Sequence, residues 1–306
     1  MTASDIPTLR FDVVDVFTDR AFAGNPLAVV HNADGLRTEQ LQVIAREFNL
    51  SETAYPLPPI ADGASYRVRI FTPFTELAFA GHPSVGTAWV LARDGVIPRG
   101  EVVQECGAGL LPLVVDGDGA RLTGGTPTIR GDIDAGPVLA AVGLEAGDVD
   151  TRAPAGTAGA GAEFIFLAVG DYAVVRAVPD LAALGRLDAR QGLVVFSFDS
   201  FDAFDSFDAA QGAVHLRMFA PGLGVAEDPA TGSAAVALGV FLVWRGLLPA
   251  NGESRYMISQ GAEIGRPSTL DCTVTAEGGR AVRTTVRGGV VPVSSGRIAV
   301  PALATM

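Results

Sequence analysis

The sequence predicts an α+β fold of two pseudo-symmetric lobes, each a curled, mostly antiparallel sheet around one central apolar helix. Three observations carry this. A helix-start signal occurs twice, "HPSVGTA" at 82–88 and "DPATGSA" at 228–234, which places the copies 146 positions apart (228 − 82). Each copy follows a related pentapeptide, "RIFTP" at 69–73 and "RMFAP" at 217–221, so both halves run strand, proline turn, loop, helix. The two helices are apolar nearly all round, through Val85, Ala88, Trp89, Val90 and Leu91 in one and Val236, Leu238, Val240, Phe241, Leu242 and Val243 in the other. A helix without a polar face must be enclosed, and strands are what surrounds it in each half. The expected lobes are 1–125 and 126–306, the last strand being able to return to the first lobe, with a cleft between them.

Length and composition agree with such an organisation. A chain of 306 residues suggests about two domains. An apolar fraction of 48% is ample for a folded core. The net charge of −12, without a basic cluster, argues against nucleic acid or an anionic membrane surface as partner. It leaves room for a small anionic substrate, which local groups would bind. "MTASDIPTLRFDVVDVF" lacks a basic region followed by an apolar one, so no signal peptide is expected. The most apolar run, Ala234 to Trp244, is too short to span a bilayer. Cys106 and Cys272 are far apart with no C-x-x-C spacing, which speaks against a disulfide scaffold or a zinc site. These features predict a cytoplasmic protein with no metal.

Taken in order, "RFDVVDVF" and "PLAVVH" are β-branched runs joined by a turn-rich "AFAGN", a hairpin with a longer loop. "TEQLQVIAREFN" places Leu41, Ile44, Ala45 and Phe48 on one helical face, with Thr38 as a candidate N-cap. "SYRVRIF" alternates Tyr66, Val68 and Ile70 with Arg67 and Arg69, a half-buried strand. The first signal helix has Pro83 at its first position and Gly95 just past its end. "EVVQEC" and "GLLPLVV" read as strands, and Thr123–Pro137 as a linker. "EFIFLAV", "YAVVRAV", "LVVFSF" and "AVHLRMF" read as strands, with a short helix near Pro179–Leu187. The second signal helix is expected over Pro229–Trp244, and the tail from Tyr256 as strands and turns.

The first turn of a helix carries unpartnered N–H groups and a partial positive charge. Small residues there, Gly86-Thr87-Ala88 and Gly232-Ser233-Ala234, let a carboxylate approach the backbone, and the Ser233 hydroxyl could add a bond. His82 and Asp228 head the two copies; each is open to a simple N-cap role or to a chemical one. His31 and His215, on or beside strands, read as ordinary structural residues. Glu52, in "FNLSETAYPLPP", opens an apolar strand. Such a carboxylate is either a solvated strand end or a proton carrier tuned by apolar surroundings.

Five segments, "DVFTDRAFAGNPLAVV", "NLSET", "FTPFTELAFAGHPSVGTA", "RMFAPGLGVAEDPATGSAA" and "ISQGAEIGRPS", occur in the same order as in the phenazine-biosynthesis isomerase (PhzF-like) family, which the chain resembles from Asp15 to Ser268. The resemblance implies a diaminopimelate-epimerase-like fold and a homodimer. It implies an isomerase working without cofactor or metal on a small carboxylate substrate, in the namesake case trans-2,3-dihydro-3-hydroxyanthranilate. Glu52 then corresponds to the group that removes and returns a proton. His82 and Asp228 correspond to its partners from the two lobes. Ser51, Gly81, Gly232 and Ser233 correspond to substrate-binding positions. An epimerase or racemase, or a non-catalytic metabolite-binding protein, is the alternative. Cys106 and Cys272 lie in neither helix start, which disfavours a two-thiol racemase.

Two stretches stand outside this pattern. "FSFDSFDAFDSFDAAQG" (196–212) repeats Phe-Asp every three residues, a period of neither strand nor helix. It is open to reading as an acidic, aromatic lid, a weak cation site or an enlarged loop. "APAGTAGAGA" (153–162) is expected to be a flexible loop, because its glycines do not follow a strand and open a helix.

Overall fold

The computed structural model describes residues 6–187, 192–198 and 212–302. The Phe-Asp repeat beyond Phe198 lies outside them. The chain divides into two compact units, one of residues 1–122 with 288–306 and the other of 123–287.

The first unit contains β1 (Thr8–Val16), β2 (Asn25–Val30), α1 (Thr38–Phe48), β3 (Glu52–Leu57), β4 (Tyr66–Phe71), β5 (Glu76–Leu77), α2 (Gly81–Arg93), β6 (Gly100–Cys106), β7 (Gly109–Val115) and β8 (Gly119–Thr123). β1 and β2 form the expected antiparallel hairpin. β2 and β3 are parallel, and α1 is the crossover that such a pair requires. Leu41, Ile44 and Ala45 of α1 pack with Val30, Tyr55 and Phe71, as their helical spacing implies. Arg37, not Thr38, is the N-cap of α1. Its N–H donates to Gln40 Oε1, while the Thr38 hydroxyl accepts from Arg69 Nη2.

α2 packs against β1, β2, β3 and β7. Gly86 makes that approach possible, since a Cβ there would lie 2.6 Å from Leu27 Cδ2 and 2.8 Å from Val16 Cγ2. Asp94 caps the helix and Gly95 follows in the left-handed region at φ +72°.

The second unit contains β9 (Pro127–Asp132), α3 (Ala135–Ala141), β10 (Gly156–Ala160), β11 (Glu163–Ala168), α4 (Asp171–Arg176), α5 (Leu181–Leu184), β12 (Leu193–Phe198), β13 (Gly212–Ala220), β14 (Val225–Asp228), α6 (Gly232–Trp244), β15 (Gly252–Gln260), β16 (Ser268–Glu277) and the start of β17 (Arg280–Ala299). β17 pairs with β16 through 280–287 and with β1 through 290–299. α6 packs against β9, β10, β11 and β16. Phe241 sits among the rings of Phe166, Phe196 and Trp244, at centroid distances of 5.0, 5.8 and 5.8 Å.

Three expectations are corrected in this unit. The stretch 123–137 is not a linker: it forms β9 and the first turn of α3, whose N-cap Asp134 accepts from Gly136 N–H. "YAVVRAV" is helical as α4, not a strand. Ala173, Val174 and Ala177 are buried while Tyr172 and Val175 are exposed, so a helical face outweighs the β-branched content. The stretch 153–162 contains β10, not a loop. Its glycines serve close approach, because a Cβ on Gly156 would lie 2.5 Å from Arg245 Nη2 and 2.8 Å from the Trp244 ring.

Candidate active site

β2 is the shelf on which the first unit builds its part of the site. Glu52 opens β3 directly opposite Leu27 of β2. The residues after it, Thr53 to Leu57, are buried, whereas the Glu52 side chain keeps 14% of its surface exposed. Ser51, one residue earlier, is half-buried.

α2 supplies the histidine. The helix begins at Gly81 with Ala80 as its N-cap, so His82 is its second residue and Pro83 its third; the N-cap alternative for His82 and the expected first position of Pro83 do not hold. A proline in the first turn forfeits no helical bond. The buried His82 ring bonds to the Pro26 carbonyl of β2. Among the described residues Nε2 has no hydrogen-bond partner, so Nδ1–H is the donor. Burial lowers the His82 pKa to about 3, against the opposing effect of that bond. The imidazole is therefore neutral at pH 7, with a lone pair on Nε2 facing Glu52 Oε2 at 3.5 Å. Nε2 can therefore only accept, from a protonated Glu52, and cannot donate to it.

The second unit treats its helix start differently. α6 begins at Gly232 with Thr231 as N-cap, so the expected start at Pro229 is corrected. Pro229 to Thr231 are held outside the helix by Gln260 at the end of β15. Thr231 N–H donates to Gln260 Oε1 at 3.0 Å, and Gln260 Nε2 donates to the Asp228 carbonyl at 2.7 Å. Asp228 is the last residue of β14, not an N-cap; it is buried, and its Oδ2 accepts from the Thr231 hydroxyl at 2.5 Å. Gly232 is buried and Ser233 half-buried at the first turn of α6, which carries no acidic residue. That turn has the partial positive charge and outward N–H groups that suit a carboxylate.

Glu52 and His82 are thus brought into contact in the first unit, with Ser51 and Gly81 beside them in the chain. Asp228, Gly232 and Ser233 belong to the second unit. Thr231, inside the second helix-start signal, and Gln260 shape the Asp228 loop, but no local pattern marks either for that role. Gln260 is visible only as part of "ISQGAEIGRPS". Elsewhere in the first unit Asp12, His31 and Asp94 offer atoms within 4.8 Å of one another. Arg93 Nη2 already lies 3.0 Å from Asp12 Oδ1, and Arg10 binds Asp94, so guanidinium groups neutralise the trio.

Among the described residues no helix is long and apolar enough to cross a membrane. The family profile described as phenazine biosynthesis-like protein matches residues 14–296. An uncharacterised isomerase of Mesorhizobium japonicum is 36% identical, over 95% of this chain and 99% of its own. The trans-2,3-dihydro-3-hydroxyanthranilate isomerase of Pseudomonas aeruginosa is 33% identical, over 94% of this chain and 98% of its own. The PhzF-family phenazine biosynthesis protein of Bacillus anthracis has a similar fold, with a TM-score of 0.84 over 96% of this chain and 99% of its own at 24% identity. The profile match and these full-length isomerase relatives agree: the chain belongs to the phenazine biosynthesis-like (PhzF) family and is an isomerase.

Proposed function

We propose that the chain moves a proton from one carbon to another of a small carboxylate-bearing substrate, with Glu52 as the group that removes and returns it. The observation that carries this reading is the Glu52 contact with a neutral His82, whose Nε2 lone pair lies 3.5 Å from Glu52 Oε2. A carboxylate that serves as base and then as acid needs both of its forms accommodated. Ionised, Glu52 retains partial exposure; protonated, it has the imidazole as an acceptor. Ser51 and Gly81 are assigned to substrate positioning. Gly232 and Ser233 are assigned to the substrate carboxylate, and Asp228 to a polar substituent. Moving a proton between carbons leaves the substrate's net oxidation state unchanged, so the scheme calls for no redox cofactor. The two-thiol racemase route gains no support: Cys272 is fully buried, with Sγ turned to the Leu270 carbonyl.

The first compound to test is trans-2,3-dihydro-3-hydroxyanthranilate, on which the Pseudomonas aeruginosa relative acts by name. Wild type and Glu52→Gln are incubated with it, and with other cyclic amino carboxylates, in heavy water. Deuterium uptake read by mass spectrometry is expected with wild type and to fall about 10²–10⁴-fold in the variant. Equal uptake in both would remove Glu52 from the reaction. Retained ligand affinity without exchange in either would point to a binding protein.

A further inference from the structure

We propose that Gln260 and Thr231 are positioning residues that hold the Asp228 carboxylate in place for the reaction. The inference rests on the substrate-facing role of Asp228 given above. Its basis is a set of hydrogen bonds in the second unit, among three buried side chains. Gln260 Nε2 donates to the Asp228 carbonyl at 2.7 Å and to Thr231 Oγ1 at 3.1 Å. Gln260 Oε1 accepts from Thr231 N–H at 3.0 Å. The two backbone groups settle the amide's orientation, because a flipped amide would set donor against donor and acceptor against acceptor.

With the amide so oriented, the rest follows from proton counting. An –NH₂ group only donates, so Thr231 Oγ1 is an acceptor towards Gln260. The hydroxyl has one proton, and Asp228 Oδ2 lies 2.5 Å away. With Asp228 ionised, that proton points at Oδ2, which accepts it. The relay runs Gln260 to Thr231 to Asp228, in that direction only.

The backbone around the relay is built to this fit. Gly261 has φ +80°, and a Cβ there would lie 2.5 Å from the Pro229 carbonyl oxygen and 2.4 Å from that of Arg266. The end of β15 can thus lie directly against the Asp228–Thr231 loop.

Three variants test the relay. Thr231→Val keeps the side-chain shape and removes the hydroxyl. Gln260→Glu keeps the shape and turns the donating end into an acceptor. Thr231→Ser keeps the hydroxyl. Substrate-free crystal structures are expected to show the Asp228 carboxylate displaced from residue 231 in Thr231→Val and Gln260→Glu, and in place in Thr231→Ser. In the heavy-water assay, kcat is expected to fall about ten- to hundredfold in the first two, the equivalent of one lost hydrogen bond to a charged group, with a smaller change in KM. Thr231→Ser is expected to retain kcat. An unmoved carboxylate in the first two variants, or a Thr231→Ser variant that behaves like Thr231→Val, would overturn the proposal. Should Gln260→Glu fail to fold, Thr231→Val decides from the other end of the same link. A wild type inert towards every compound would sink the functional reading alone, because the crystal structures still decide the positioning.

Discussion

Arg69 and Arg217 occupy the same place in the two related pentapeptides, and each makes a two-bond fork with a glutamate. Arg69 reaches Glu76 at 2.7 and 2.6 Å, and Arg217 reaches Glu227 at 2.8 and 2.7 Å. Their surroundings differ. The first pair keeps 23% and 37% of its side-chain surface exposed, the second only 7% and 10%. Arg217 Nη1 also donates to the carbonyls of Val174 and Ala177 at the end of α4, at 3.1 and 2.7 Å. The two related pentapeptides thus make the same kind of fork in surroundings of different burial. The buried fork also ends one residue before Asp228, which links this structural pair to the candidate site.

The helix starts differ in the same sense. His82 lies inside α2 and is anchored by a main-chain carbonyl, that of Pro26. Asp228 lies outside α6 and is held by two side chains, Thr231 and Gln260. One start depends on strand placement, the other on the chemistry of its neighbours.

The sharpest way to break the comparison is to remove each arginine's charge. Arg217→Met is expected to destabilise by about 3–5 kcal/mol, because it leaves Glu227 buried without its cation. Arg69→Met should cost about 0–1 kcal/mol. Urea unfolding of the two variants checks this, and equal costs would show that burial does not separate the pairs.

The next largest effect concerns His82. Its pKa is about 3 in the folded chain and near 6.5 when unfolded. Between those values the unfolded chain binds the extra proton, so stability falls as pH drops below about 6.5 and levels off near 3. From pH 7 to pH 4.5, wild type should lose about 2–3 kcal/mol more than His82→Gln. Parallel losses in the two proteins would mean that the ring is not held neutral as described.

A third effect sharpens the packing side of the comparison. Gly86→Ala puts a methyl group against Leu27 and Val16 and should cost about 1–3 kcal/mol through overpacking. A thermal shift of several degrees is the readout, and an unchanged midpoint would show that β1 and β2 can give way beneath α2.

Much of this molecule was legible before folding. The hairpin of β1 and β2, the buried face of α1 and the alternation along β4 follow from periods of 3.6 and 2.0, which neighbouring residues express by themselves. The errors have a common origin. α4 read as a strand because its β-branched content is high, and β10 read as a loop because its glycines answer to Arg245 and Trp244, far along the chain. Glu52 and His82 could be named from the resemblance, but their contact could not, since α1 and the parallel pairing of β2 with β3 bring Glu52 to β2, which also holds His82.

By itself, the sequence determined most of the elements, the two copies of the helix-start signal and the family, all of which reside in spacing and local pattern. Tertiary structure alone decided the protonation of His82 and the hydrogen-bond direction at Asp228. The first depends on burial and on a carbonyl 56 positions earlier (82 − 26), the second on an amide 32 positions later (260 − 228). Proton affinity and hydrogen-bond polarity are set by whatever atoms lie within about 3 Å, and it is the fold, not chain order, that chooses those atoms.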